Sequence, residues 1–159
     1  MKKIDSSLLK SLMVKSRQME RRRINLNFHD GSADPLQRML NAMQPGTYLQ
    51  PHKHENPDKR EVFIALTGRF VVIVFDDDGL ITDHMILDPV KNNPAAEIAA
   101  RVYHTIICLQ PDSVIYEIKD GPYDPADDKQ FATWAPQEGH PLCNQFLEKW
   151  LSQININFP

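Results

Sequence analysis

Two histidines one residue apart, His52 and His54, precede Glu61 by nine and seven positions, and a further histidine, His104, lies well downstream. In an extended strand side chains alternate faces at about 3.3 Å per residue, so His52 and His54 project together while Lys53 points away. Two imidazoles on one face can share a metal ion. The intervening Glu55-Asn56-Pro57-Asp58 is turn-forming, which lets the chain reverse and present Glu61 from a neighbouring strand as a hard oxygen ligand beside the softer nitrogens. Such histidine pairs also occur on exposed loops, so the pair by itself leaves a metal site and a solvated loop both open.

Flanking glycines extend the pattern. From Gly46 through His52, His54 and Glu61 to Gly68 the chain reads G-x5-H-x-H-x6-E-x6-G, which resembles the first cupin motif. The family commonly has three or four residues between the second histidine and the glutamate, where this chain has six, so Glu55 stands as an alternative carboxylate. The second cupin motif, loosely P-x-G-x-x-H, would supply a last histidine, and His104 is the candidate. Ala99 and Arg101 occupy its proline and glycine positions. An arginine at a turn position needing positive φ would be mildly strained.

A closer likeness is carried by Arg22 to His29 (RRINLNFH), Gln37 to Asn41 (QRMLN), Tyr48 to His54 (YLQPHKH), Gly121 to Tyr123 (GPY) and Lys129 to Pro136 (KQFATWAP). In this order they resemble the WbuC family of cupin-fold metalloproteins, over about residues 20 to 139. The resemblance implies a cupin-type antiparallel jelly-roll barrel and a metal held by His52, His54, Glu61 and His104. It also implies a homodimer, an expectation that edge strands needing cover reinforce. The WbuC family is associated with bacterial surface-polysaccharide gene clusters, and its reaction is not established.

Three histidines and a carboxylate suit one divalent transition ion, Zn, Fe, Mn, Ni or Co, and an octahedral ion would keep two positions open. Such a site would serve a metal-dependent isomerase, epimerase or oxygenase acting on a sugar or sugar nucleotide. It would serve equally a non-catalytic sensor or binding module, because fold alone does not separate these. Strand alternation gives Tyr48 and Gln50 the direction of His52 and His54, either to meet a substrate or to fill the barrel. Arg38 is an anion clamp or an internal partner of Glu117. Glu117, His29, Tyr116, Tyr123 and Lys129 lie in the WbuC-like segments and join the ligand-binding candidates.

The elements that must position these residues follow from the patterning. Asp5 or Ser6 caps a helix with Leu8, Leu9, Leu12, Met13 and Met19 at near-helical spacing, and Arg21 to Arg23, a run that can bind phosphates, is expected to form a solvated or salt-bridged patch. Period two then takes over at Ile24, Leu26 and Phe28. Leu36 to Met43 reads as helix or strand by its pattern; the WbuC resemblance and the Gln44-Pro45-Gly46 turn imply a strand that hairpins into Thr47 to His52. Glu61 to Leu66, Phe70 to Phe75 and Leu80 to Leu87 are expected to form a meander with a hairpin tip at Asp76-Asp77-Asp78-Gly79. Further strands are expected near Ala96 to Ile98, Val102 to Leu109 and Ser113 to Lys119, with a turn at Gln110-Pro111-Asp112. Gly139-His140-Pro141 opens a last helix with Leu142, Phe146, Leu147, Trp150 and Leu151 on one face. The fold class is therefore all-β: one jelly-roll domain with an N-terminal helical segment at 1–22, a barrel at 23–136 and a C-terminal helix and tail at 137–159.

Composition bounds the rest. At 159 residues one domain with a core is expected. A net charge of −3 gives no electrostatic reason to expect nucleic acid or an anionic membrane. Asp5, Lys10 and Lys15 interrupt any apolar leader, and no segment approaches a membrane span, so the chain is expected to be cytoplasmic. Cys108 and Cys143 are expected to be free thiols, Cys108 as a small buried hydrophobe.

Overall fold

The structure is a computed structural model that describes residues 1–158; Pro159, the end of the expected tail, lies outside the described residues. Helix α1 (Ser6–Gln18) begins at Asp5, whose side chain accepts from the Leu8 amide and so satisfies one of the free donors of the first turn. Ten strands follow: β1 (Arg23–Asn27), β2 (Leu36–Met43), β3 (His52–Lys53), β4 (Glu61–Thr67), β5 (Phe70–Phe75), β6 (Ile81–Leu87), β7 (Ala95–Ile98), β8 (Tyr103–Cys108), β9 (Ser113–Asp120) and β10 (Gln130–Phe131), then helix α2 (Cys143–Gln153).

They form two five-stranded antiparallel sheets, β1-β2-β9-β4-β7 and β10-β3-β8-β5-β6. Apart from the β1–β2 and β5–β6 hairpins, each connection carries the chain from one sheet to the other. The result is the cupin-type jelly roll.

That crossing pattern corrects two expectations. β2 pairs with β1 and β9 rather than hairpinning into the 47–52 segment, which is irregular until His52. β4 and β5 are not neighbours in a meander: the bend at Gly68 sends the chain across the barrel. Gly68 has φ +77°, and a Cβ there would stand 2.5 Å from the Ser113 Cβ, so only glycine fits the crossing. The expected turn at Gln110-Pro111-Asp112, with Asp112 at φ 59°, likewise carries the chain from β8 to β9 in the opposite sheet. The Asp76 to Gly79 tip is a hairpin turn as expected, with the Asp76 carboxylate accepting from the Asp78 and Leu80 amides.

Period-two alternation sorts side chains into three cores. The outer face of the first sheet packs Leu40, Ala42 and Val114 against Leu12 of α1, with Ile24 and Leu26 alongside. The outer face of the second sheet packs Val71, Ile73, Phe75 and Ile107 against Leu147, Trp150 and Leu151 of α2. Burial of each Leu, Ile, Val or Phe side chain among these stabilises by about 1.5–3 kcal/mol. α2 starts at Cys143, two residues later than Pro141 suggested, and exposed Leu142 is its cap rather than part of the apolar face. Between the sheets Phe63, Phe70, Val72, Leu87, Ile106 and Ile115 fill one half of the barrel. The other half is lined by polar groups.

Candidate metal centre

His52 and His104 are direct cross-strand partners on β3 and β8, and His54 follows one residue beyond β3. Ring centroids are 4.7 Å apart for His52–His104, 5.1 Å for His52–His54 and 5.7 Å for His54–His104. Glu61 opens β4 on the opposite sheet, so the carboxylate reaches the histidines across the barrel, not from a neighbouring strand. All four side chains are buried, and one ligand atom of each falls within 4.8 Å of the others.

Each imidazole has its Nδ1 on a backbone carbonyl: His52 on Gln50 (3.1 Å), His54 on Asp128 (2.5 Å) and His104 on Val102 (2.9 Å). A carbonyl only accepts, so Nδ1 carries the proton and the Nε2 lone pair is turned inward. Inside, the Glu61 carboxylate stands 2.8 Å from His104 Nε2 and 3.3 Å from His54 Nε2. His52 Nε2 is fully buried with no hydrogen-bond partner among the described residues. Three lone pairs and a carboxylate oxygen therefore converge with no donor between them. A cation resolves that conflict, and backbone-oriented histidines of this kind are the usual support of a metal ligand. The donor set fits a divalent transition ion.

The charges agree with this reading. Burial first, then the Lys129 ammonium, holds the His52 imidazole well below its ordinary range. Burial opposes ionisation of Glu61, and in the absence of an ion only a proton donated from His104 or His54 Nε2 would hold its carboxyl well below the usual carboxylate range, the place that a bound cation takes. Burial and the facing charge of Glu61 push Glu117 the other way, well above that range, while the Asn41 amide donates to it at 2.6 Å.

The connection between His54 and Glu61 delivers a residue that spacing alone did not flag. Lys59 is buried, and its ammonium donates to Asp128 Oδ1 (2.9 Å) and the Pro122 carbonyl (2.6 Å). Lys119 donates to the other Asp128 oxygen at 2.6 Å. Asp128 thus sits between two lysines while its carbonyl orients His54. Glu55 pairs with Lys53 at 2.8 Å and is outside the cluster, which leaves Glu61 as the carboxylate at the histidines. Arg101 holds the expected positive φ of 67°; its amide donates to the His54 carbonyl at 3.0 Å, tying the turn before His104 to the first histidine pair.

A cavity of about 410 Å³ opens beside the cluster, within the size range of small-molecule sites. His52, Glu61 and His104 lie in its wall together with Glu117, His29, Tyr123 and Lys129. Other candidates sit elsewhere. Tyr48 stacks on Trp150 at 6.0 Å, with its hydroxyl on the Pro136 carbonyl, and belongs to the α2 core. Tyr116 packs edge-on to Phe28 on the α1 side. Arg38 pairs with Asp34 at 2.9 Å, and with neither the cavity nor Glu117. Gln50 donates to the Ala132 carbonyl and borders a smaller adjoining cavity of about 210 Å³. The inward period-two positions of β9, Ile115, Glu117 and Lys119, carried the signal for Lys119: two charged residues on the face turned to the interior. Asn25 and Asn27 line the cavity in the same way from β1.

Solved structures with the same fold include an L-ribose isomerase from Cellulomonas parahominis, 16% identical over 74% of this chain and 72% of that one, with a TM-score of 0.57. The capsular polysaccharide assembling protein CapF from Staphylococcus aureus is 23% identical over 67% of this chain but 28% of its own, with a TM-score of 0.56. An L-ribose isomerase from Geodermatophilus obscurus is 14% identical over 71% and 70%, with a TM-score of 0.55. At these identities the likeness is one of fold. No curated protein matches the sequence. A family model does match, over residues 4–87, from α1 to the end of β6 and through His52, His54 and Glu61. Because that match spans just over half of the 159 residues, the chain belongs to the family described as a domain of unknown function, DUF6016.

Proposed function

We propose that this protein is a metal-binding cupin that acts on a small polyhydroxylated molecule, with His52, His54 and His104 through Nε2 and Glu61 through its carboxylate holding one divalent transition ion. The observation that carries the reading is the convergence of three inward imidazole lone pairs on a buried carboxylate, with His52 Nε2 left without any partner. When bound, the ion supplies Lewis-acid polarisation of a carbonyl or hydroxyl oxygen.

The chain's own residues define what surrounds that oxygen. Glu117 lines the cavity beside Glu61 and is biased toward its protonated form by burial and by the Glu61 charge, so it can hold a proton at the cavity wall and exchange it with a ligand hydroxyl. Asn41 fixes its orientation. Asn25 and Asn27 offer amide donors and acceptors to ligand hydroxyls along β1. Phe63, Ile106 and Ile115 close the apolar side and exclude water.

A carbohydrate ligand is supported by the same fold occurring in proteins named as an L-ribose isomerase and a capsular polysaccharide assembling protein. The WbuC-like segments point to the same area, bacterial surface-polysaccharide metabolism. The test is a turnover screen of aldoses, ketoses and keto-sugars on metal-loaded protein, with His52→Ala in parallel. Turnover that vanishes in His52→Ala supports the enzyme. Saturable sugar binding without product under aerobic and anaerobic conditions supports the sensor module instead.

A further inference from the structure

Charge around the cavity is uneven. Lys59 and Lys119 share the single carboxylate of Asp128, leaving one cation in excess. Arg21 and Arg23 share the single carboxylate of Glu138 at the cavity mouth, again one in excess. Lys129 lines both the main cavity and the smaller one beside His52, and it has no ion pair among the described residues. Glu61 faces the histidines, and Glu117 is occupied by Asn41. Counted against the Glu61 carboxylate in the same wall, these surplus cations leave the cavity net positive, with Lys129 and the Arg21–Arg23 pair toward its mouth, in a chain whose net charge is −3. A low-dielectric cleft with a net positive wall focuses its field on an anion, and a cation that has no protein partner is free for a ligand.

We propose that the ligand is an anionic monosaccharide, a sugar bearing a carboxylate or a phosphate, whose charged group meets Lys129 near the Arg21–Arg23 mouth while its hydroxyls reach Asn25, Asn27 and the histidine cluster. This rests on the carbohydrate reading above and narrows it. A volume of about 410 Å³ is at the small end for ligand pockets, which suits one sugar unit rather than a nucleotide sugar.

The experiment is isothermal titration of the full chain with D-glucuronate, glucose 6-phosphate and neutral glucose. It is run with and without added Mn(II) at two salt concentrations, on the wild type, Lys129→Met and Lys129→Arg. At least one anion is expected to bind about tenfold tighter than glucose, the size of a charge-assisted hydrogen bond. That preference is expected to fall about tenfold in Lys129→Met, to recover in Lys129→Arg and to weaken with salt. Comparing phosphate with carboxylate identifies the anion. The inference is overturned if glucose binds as tightly as both anions, if neither anion binds, or if Lys129→Met leaves the ratio of anion to glucose affinity unchanged. Metal content measured on the same samples keeps the two ideas apart: one ion per chain with no anion preference removes this inference alone, whereas anion preference in a chain that takes up no ion removes the metal reading alone.

Discussion

Replacing Lys59 by methionine tests how the His52–His54 pair is held in place. Lys59 and Asp128 are each about 2% exposed at the side chain, with the ammonium 2.9 Å from one carboxylate oxygen and 2.6 Å from the Pro122 carbonyl. Removing one partner of a buried ion pair costs about 3–5 kcal/mol, and retention of Lys119 on the other oxygen of Asp128 places this loss near the lower figure, about 3 kcal/mol. In a domain of this size each kcal/mol moves Tm by about 2–4 °C, so Lys59→Met should lower Tm by about 6–12 °C. The neighbouring Arg60–Asp120 pair is the internal control. Arg60 is 67% exposed at the side chain, and Arg60→Ala should cost under about 1 kcal/mol. Because the Asp128 carbonyl orients His54, Lys59→Met should also weaken metal binding by about 10-fold, at the low end for changes to groups that orient ligands. Differential scanning calorimetry and a competitive chelator titration read the two effects. A Tm within about 2 °C of wild type, with unchanged metal affinity, would refute the idea that this ion cluster supports the site.

Two further expectations concern the same framework. Burial resists ionisation of Asp128, yet Lys119 and Lys59 hold its carboxyl below its ordinary value of 3.8, so its contribution to stability is present above that pH and is lost as pH falls through the lower folded value. The Tm difference between wild type and Asp128→Asn should therefore shrink below about pH 4, and a difference that stays constant to pH 2 would count against the cluster's charge. Trp150→Ala should cost about 3–5 kcal/mol, because Trp150 is 2% exposed and packs on Tyr48 and Phe75. Chemical denaturation measures this, and a loss under about 1 kcal/mol would mean that α2 is not part of the barrel's core.

Much of this arrangement was legible in the residues themselves. Alternation marked β1 and apolar β-branched runs marked β4, β5 and β8, while β2 was ambiguous between helix and strand by its pattern; Asp5 or Ser6 marked the start of α1, and the G-x5-H-x-H frame pointed to the histidine cluster. What alternation does not encode is which sheet a strand joins. β4 and β5 read as a meander because hydrophobic period is the same in either sheet, and only the Gly68–Ser113 approach reveals the crossing. For the same reason Glu61 read as a neighbour of the histidines when it faces them across the barrel. Tyr48 shares the parity of His52 but not its direction, because the 47–51 segment is irregular and turns the ring to α2. Lys59 escaped notice because a lysine in a polar turn ordinarily points to water. Its burial depends on Asp128, which lies far along the chain and comes close only in the folded barrel.

The central claim is that His52, His54, Glu61 and His104 bind one metal ion, and cobalt titration tests it most directly. Chelator-treated protein should take up one Co(II) per chain with a visible ligand-field spectrum, and His52→Ala and His104→Ala should each lower the affinity by at least about 10-fold while retaining the far-UV circular dichroism of the wild type. Absence of saturable uptake by the wild type, or uptake that both variants retain undiminished, would contradict the account.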